Sequence, residues 1–197
     1  MLKKIVQIAV VSGMLTAGLN ADDSFVDKSL FGVEVGYGQL SSSITDANPS
    51  PATYQTVDKK FSSIGLKIGA ESEHYRILLN ARYAKDTDKD FDYITNYGVE
   101  GDYFFNFSQM ANFFIGVNAG MSYMKFTIAG ESFSRTISDP YYGGNLGFNV
   151  HASKSVDLEL GARIEELNSD NVKNKVTYEF NDMISGYFSV IFKYQMD

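Results

Sequence analysis

The segment YRILLNARY, residues 75–83, sets two arginines and an asparagine among isoleucine, leucines and alanine. Side chains of a strand alternate between its two faces. Tyr75, Ile77, Leu79, Ala81 and Tyr83 therefore share one face, and Arg76, Leu78, Asn80 and Arg82 the other. The first face is wholly apolar with a tyrosine at each end; the second is largely polar. The same period recurs along the chain, predicting strands over 30–40, 61–70, 75–83, 92–104, 112–124, 141–152, 156–165 and 183–196.

The connections between these eight segments alternate in length. Ser72–His74, Asn106–Met110 and Ser153–Ser155 read as short turns, whereas 41–60, 85–91, 125–140 and 166–182 read as longer polar links. All short turns then fall at one end of an antiparallel, up-and-down sheet. Pro49, Pro51 and Pro140 are expected in the long links or at the first residue of a strand, where a missing N–H does no harm.

Period two alone does not say whether the apolar face points into a soluble core or outward into lipid. Glycine placement favours lipid: of fourteen glycines in the segments, eleven fall on the polar face, and small residues collect on the crowded concave side of a narrow closed sheet. The aromatics agree. Phe31, Tyr75, Tyr103, Phe113 and Tyr194 are expected at the short-turn end of the apolar face, and Tyr37, Tyr83, Tyr93, Tyr123 and Tyr142 at the other. Two girdles would then bracket an aliphatic band. Lys125, at the outer end of that face, can snorkel. The fold expected is an all-β, eight-stranded transmembrane barrel.

The opening MLKKIVQIAVVSGMLTAGLNADD reads as a cleaved export signal over 1–21, followed by one barrel domain over 22–197. Removing Lys3 and Lys4 leaves 15 basic against 24 acidic side chains, a balance with no footprint for nucleic acid. The chain has no cysteine, which excludes disulfides, thiolate metal ligands and a lipid-bearing N-terminal cysteine. After residue 21 no apolar run approaches the ~20 residues of a membrane helix.

On strand count, link asymmetry and the closing strand GYFSVIFKYQM, the chain resembles the small eight-stranded outer-membrane barrels of the OmpX, Ail, opacity-protein and OmpA transmembrane-domain type. The resemblance covers residues 30–196. It implies export to the outer membrane of a Gram-negative bacterium, short periplasmic turns and longer extracellular loops. It also implies contact with lipopolysaccharide, periplasmic chaperones and the barrel-assembly machinery. Phe192, Tyr194 and Met196 occupy the positions of the terminal assembly signal, with Met where such proteins commonly carry Phe.

The inward charges expected are Glu34, Glu100, Asp102, Asp157, Glu159 and Glu165 against Lys67, Arg76, Arg82, Arg163 and Lys193. Hairpin register puts Arg76 level with Glu100 or Asp102, Lys193 level with Asp157, and Glu34 near Lys67. An eight-stranded lumen is just wide enough for side chains to fill. The expectation is a plugged, structural charge network, with a narrow gated conductance as the alternative. No cofactor, metal or catalytic residue is expected: His74 and His151 both fall at the short-turn end, away from any outer-leaflet chemistry. Val176, Tyr178 and Phe180 are expected to continue the outward parity of the last strand, and Phe126 and Ile128 to extend the fifth. They point to surface recognition or adhesion by the loops, with envelope integrity as the other role the resemblance implies.

Overall fold

The computed structural model describes residues 28–46, 53–86, 92–127, 134–173 and 176–194. The expected leader over 1–21, Pro49 and Pro51, Ile128 and Met196 lie outside them, as do the side chains of Phe126, Val176 and Tyr178. Eight antiparallel strands close into a barrel in sequence order: β1 Lys28–Asp46, β2 Thr53–Glu71, β3 Tyr75–Asp86, β4 Tyr93–Asn106, β5 Ala111–Thr127, β6 Ser134–Ser153, β7 Val156–Lys173 and β8 Val176–Tyr194. Strand β8 returns to pair with β1, so the barrel wall has no free edge.

The apolar face is outside. Ile64, Leu66, Ile68, Leu79, Val99, Ile115, Leu146, Leu160 and Ile184 are all exposed, while Glu34, Lys67, Arg76, Glu100, Glu159 and Arg163 are buried within. Glycine follows the same division. A Cβ on Gly36, Gly69, Gly98, Gly116, Gly143 or Gly161 would strike a neighbouring strand or a lumen side chain, whereas one on Gly101 would meet nothing within 4 Å. The interior lacks room for every position to carry a side chain.

Several strands run well past the expected boundaries. The alternation stops near Leu40, but β1 continues through Ser41–Asp46, opposite Thr53–Asp58. Period two is legible only where one face meets an apolar phase. Beyond that, backbone pairing continues with nothing to sort the side chains.

These extensions are unequal. Pairing of β2 with β3 ends at Phe61 and Asp86, while β1–β2, β1–β8 and β7–β8 continue as far as Asp46, Thr53, Lys173 and Val176. Four strands in the order β2, β1, β8, β7 thus project from the long-link end as an open sheet. Strands β5 and β6 project separately, because β4 leaves β5 at Tyr93 and β7 joins β6 only at Tyr142.

Two placements differ from expectation. Pro140 is inside β6 rather than at a strand start; there β6 pairs with β5 through Met121 but not yet with β7, a half-free edge that tolerates a missing N–H. Phe180 is buried rather than outward. The register slips between Met183 and Phe180 against β1, and between Asp182 and Phe180 against β7. Asn181 and Asp182 are consecutively exposed, as at a bulge, and Phe180 beyond them comes to the inner face.

Candidate functional site

The lumen is layered. At the long-link end an apolar cluster closes it: Leu40, Phe61, Ile94, Met124, Ile137, Leu167, Phe180 and Met183 above Tyr141. Toward the short turns lie Leu30, Leu78 and Ile191, and beside them Phe104, Phe114 and Tyr187. Charge occupies the level between and a second patch at the short-turn mouth.

The central charges form one connected cage. Lys67 Nζ lies 2.9 Å from Glu34, 2.7 Å from Glu159 and 3.7 Å from Glu100. Arg163 bridges Glu34 at 3.0 Å and Glu100 at 2.8 Å. Arg76 joins Asp102 and Glu159, each at 2.6 Å, and Asn145 donates to the free oxygen of Asp102 at 2.7 Å. Arg82 donates from both terminal guanidinium nitrogens, Nη1 and Nη2, to Glu165. Taking such ions out of water costs several kcal/mol each, so this arrangement holds only because each has a partner.

Aromatic rings support the cations from the other side. Lys67 and Arg163 both stand 4.4 Å from the centre of the Tyr187 ring, Arg76 lies 5.3 Å and 5.1 Å from Phe104 and Phe114, and Arg82 lies 5.7 Å from Tyr141. The ring quadrupole favours a cation over its face, more so without water.

Glycine makes this stacking possible. The Tyr187 ring rests on Gly161, and the Tyr141 ring on Gly98 and Gly120.

The separate patch at the short-turn mouth comprises Lys193, Asp157, Glu71 and His151. Lys193 Nζ is 2.6 Å from Asp157 and 2.9 Å from Glu71, and His151 Nδ1 is 2.9 Å from Asp157. Asp157 is opposite Ile191 in the ladder, not Lys193, which reaches it diagonally. Arg76 is opposite Asp102, while Glu100 is opposite Leu78 and turns to Lys67 and Arg163.

Sequence reasoning missed Glu71, because the expected second strand ended one residue earlier. With it, seven named lumen carboxylates face five cations, so the interior is more acidic than the near-balance expected. It also missed Tyr187, Tyr141, Phe104 and Phe114 as cation supports. Their signal was available: each interrupts a polar, glycine-rich face with a large ring.

The ladder does not foretell most of the cage. From Phe31, successive partners are Ile68, Leu79, Val99, Ala119, Tyr142, Glu166 and Asp182, and the walk re-enters β1 near Ser41, about ten residues beyond its start. That stagger tilts the strands. Residues from β1, β2, β3, β4 and β7 with no common ladder pair thereby meet across the axis.

On the outer surface, rings from four neighbouring strands make a continuous arc at the short-turn end: Tyr75, Tyr103, Phe105, Phe113 and Phe148, with centroids 4.9–6.0 Å apart from one to the next. Phe31, Phe192 and Tyr194 are exposed at the same end. Toward the long links, Tyr83 stacks on Tyr93 at 5.7 Å and Tyr97 meets Tyr123 at 6.1 Å. Tyr37 is exposed, and Tyr142 is half-buried. His74 is exposed in the β2–β3 turn, 6.3 Å from the Tyr103 ring.

No family model and no curated protein sequence matches the chain. Solved structures do. The crystal structure of Neisserial surface protein A matches with a TM-score of 0.57 at 12% identity, over 85% of this chain and 97% of that one. The solution structure of outer membrane protein H from P. aeruginosa, in DHPC micelles, matches with a TM-score of 0.52 at 17% identity, over 85% and 99%. At such identities the likeness is one of architecture. With eight antiparallel strands closed in sequence order, an apolar exterior and a filled polar interior, the chain has the fold of the small eight-stranded outer-membrane barrels.

Proposed function

We propose that this protein is a non-enzymatic barrel of the Gram-negative outer membrane whose lumen is a structural plug and whose working surface is the part that projects beyond the membrane. The observation that carries the reading is the filled lumen: a charge cage in which every named cation is paired, covered by an apolar cluster at the long-link end. Ions would have to break paired charges and then cross an apolar layer. The outward aliphatic band suits hydrocarbon, where a Lys or Arg would cost ~2–4 kcal/mol at mid-depth. The rings at its two ends suit the interfaces. In this reading Phe192, Tyr194 and Met196 serve the assembly machinery during insertion.

The projecting sheet supports a recognition role. Along Thr53–Asp58, β2 is laddered on one side only among the described residues, as is β7 beyond Glu166, so each presents a backbone edge to one side. Such edges accept an added strand from another chain, with side-chain pockets supplying selectivity. Adhesion to another surface and maintenance of the envelope both fit this geometry. His74 and His151 lie at the opposite end from the projecting sheet, which argues against chemistry on the outer leaflet.

Two measurements test the reading. Planar-bilayer recordings of the refolded barrel are expected to show no discrete openings; charge-selective steps would replace the plug with a narrow gated channel. Binding of the purified barrel to a panel of cells and matrix proteins is expected to fall about tenfold or more when residues 41–58 and 169–180 are each replaced by a tight turn, which removes the projecting strands. Unchanged binding would remove the projecting sheet as the working surface.

A further inference from the structure

We infer that a short file of water molecules is bound on the inner wall of β3–β6, along the row from Arg82 to Asp139, and that it reaches the Arg82–Glu165 ion pair past the apolar cluster. The inference rests on the plug proposed above and refines it: ions are stopped, while water enters along one side.

The register builds the row. Arg82 pairs with Asn96, Asn96 with Ser122 and Ser122 with Asp139. The first three are buried and Asp139 is half-buried, all on the inner face. With strands about 4.8 Å apart, the row climbs roughly 15 Å from the interior to the rim. The next inward row toward the long links is apolar, Ala84, Ile94, Met124 and Ile137 in ladder order. The row on the other side is Asn80, Gly98, Gly120 and Tyr141, where the tyrosine ring covers the two glycines. Short polar side chains are thus boxed between apolar neighbours.

Their polar atoms are orphaned. Arg82 Nε, Asn96 Oδ1 and Ser122 Oγ, with Asn80 Nδ2 from the adjoining row, have no hydrogen-bond partner in the protein. Asn96 is 2% exposed, Ser122 4%, and Asn80 and Arg82 6% each. Such groups bear the full cost of desolvation unless something answers them. Glu100 Oε1 and Glu159 Oε2 also lack a hydrogen bond, but a cation of the cage stands 3.7 Å from the first and 2.6 Å from the second. Asn96 and Ser122 have no such counter-charge.

The mixture of groups selects the ligand. Arg82 Nε and Asn80 Nδ2 only donate, Asn96 Oδ1 only accepts, and Ser122 Oγ does both. An anion would oppose Asn96 and Asp139, and a cation would oppose Arg82. Water donates and accepts, and a buried water typically holds about three hydrogen bonds to otherwise unanswered groups. The outer end is open to supply it. Among the described residues β7 joins β6 only from Tyr142, so the wall beside Asp139 is laddered to β5 alone. At the inner end the terminal nitrogens of Arg82 hold Glu165, which makes this the hydrated pair of the cage.

The absence of cysteine from the chain permits a single-thiol test in refolded vesicles. Ser122→Cys places a thiol on the row, and Met124→Cys places one two residues along the same strand, equally buried but among apolar side chains. A thiol reacts as thiolate, which needs solvation, so methyl methanethiosulfonate is expected to modify Ser122→Cys about tenfold faster or more than Met124→Cys. Adding Asn96→Leu, which removes an anchor of the file, is expected to slow Ser122→Cys about tenfold. A heat-modifiable gel shift confirms that each variant is folded. In the unaltered chain, the Asn96 side-chain amide is expected to show a cross-peak to water in rotating-frame NMR of the barrel in micelles. Equal rates for the two thiols overturn the file, as does an Asn96 amide with no contact to water. Discrete openings in planar bilayers would instead overturn the plug, a separate outcome read from a separate measurement.

Discussion

Replacing Arg163 by methionine is expected to destabilise the barrel by about 3–5 kcal/mol, read as a lowered urea midpoint for unfolding from lipid vesicles. Methionine fills most of the same space, so the loss reports charge rather than volume. Arg163 is buried and bridges Glu34 and Glu100, which its removal leaves to Lys67 alone among the cations in direct contact with them. An uncompensated carboxylate in a lumen without room for bulk water costs far more than the pair contributed. Adding Glu34→Gln to Arg163→Met is expected to recover part of the loss, because it removes one of the stranded charges. A penalty below about 1 kcal/mol for the single variant would mean that water reaches the cage and screens it as at a surface.

The second large effect comes from glycine and depends on which face carries it. Gly161→Ala is expected to cost about 1–3 kcal/mol by overpacking. The three atoms nearest a Cβ there all belong to the Tyr187 side chain, and Lys67 and Arg163 both stand 4.4 Å from the centre of its ring. It has nowhere to retreat without separating the cations from their carboxylates. Gly101→Ala is expected to have the opposite sign, a gain of about 0.5–1 kcal/mol, because its Cβ meets nothing within 4 Å and the unfolded chain loses freedom. The same substitution thus reads the inside and the outside of the wall by sign. In a Tyr187→Leu background the penalty of Gly161→Ala is expected to shrink; a penalty that persists would place its origin in the neighbouring backbone.

How far the site was legible follows from the same residues. Alternation in YRILLNARY identified the face carrying Arg76 and Arg82, and glycine placement pointed that face inward. Pairing partners were legible only where a hairpin supplies the register, as between Arg76 and Asp102 across β3 and β4. The contacts of Arg82 with Glu165 and of Lys67 with Glu159 join strands far apart in sequence, and no local pattern encodes them. Phe180 shows a different limit. Its parity was read across a bulge, and a single register slip exchanges the two faces of everything beyond it.

The sequence by itself determined the strand period, the number of strands within the apolar band, the alternation of short and long connections, and which face is crowded. Each is a local consequence of side-chain chemistry repeating every two residues. Tertiary structure alone decided the stagger of about ten residues on closure, and with it which charges meet across the axis. It also decided how far the outer strands stay paired beyond the apolar band. Closure is a global condition on all eight registers at once, so no stretch of the chain carries it, and the lumen contacts exist only after the last strand has met the first.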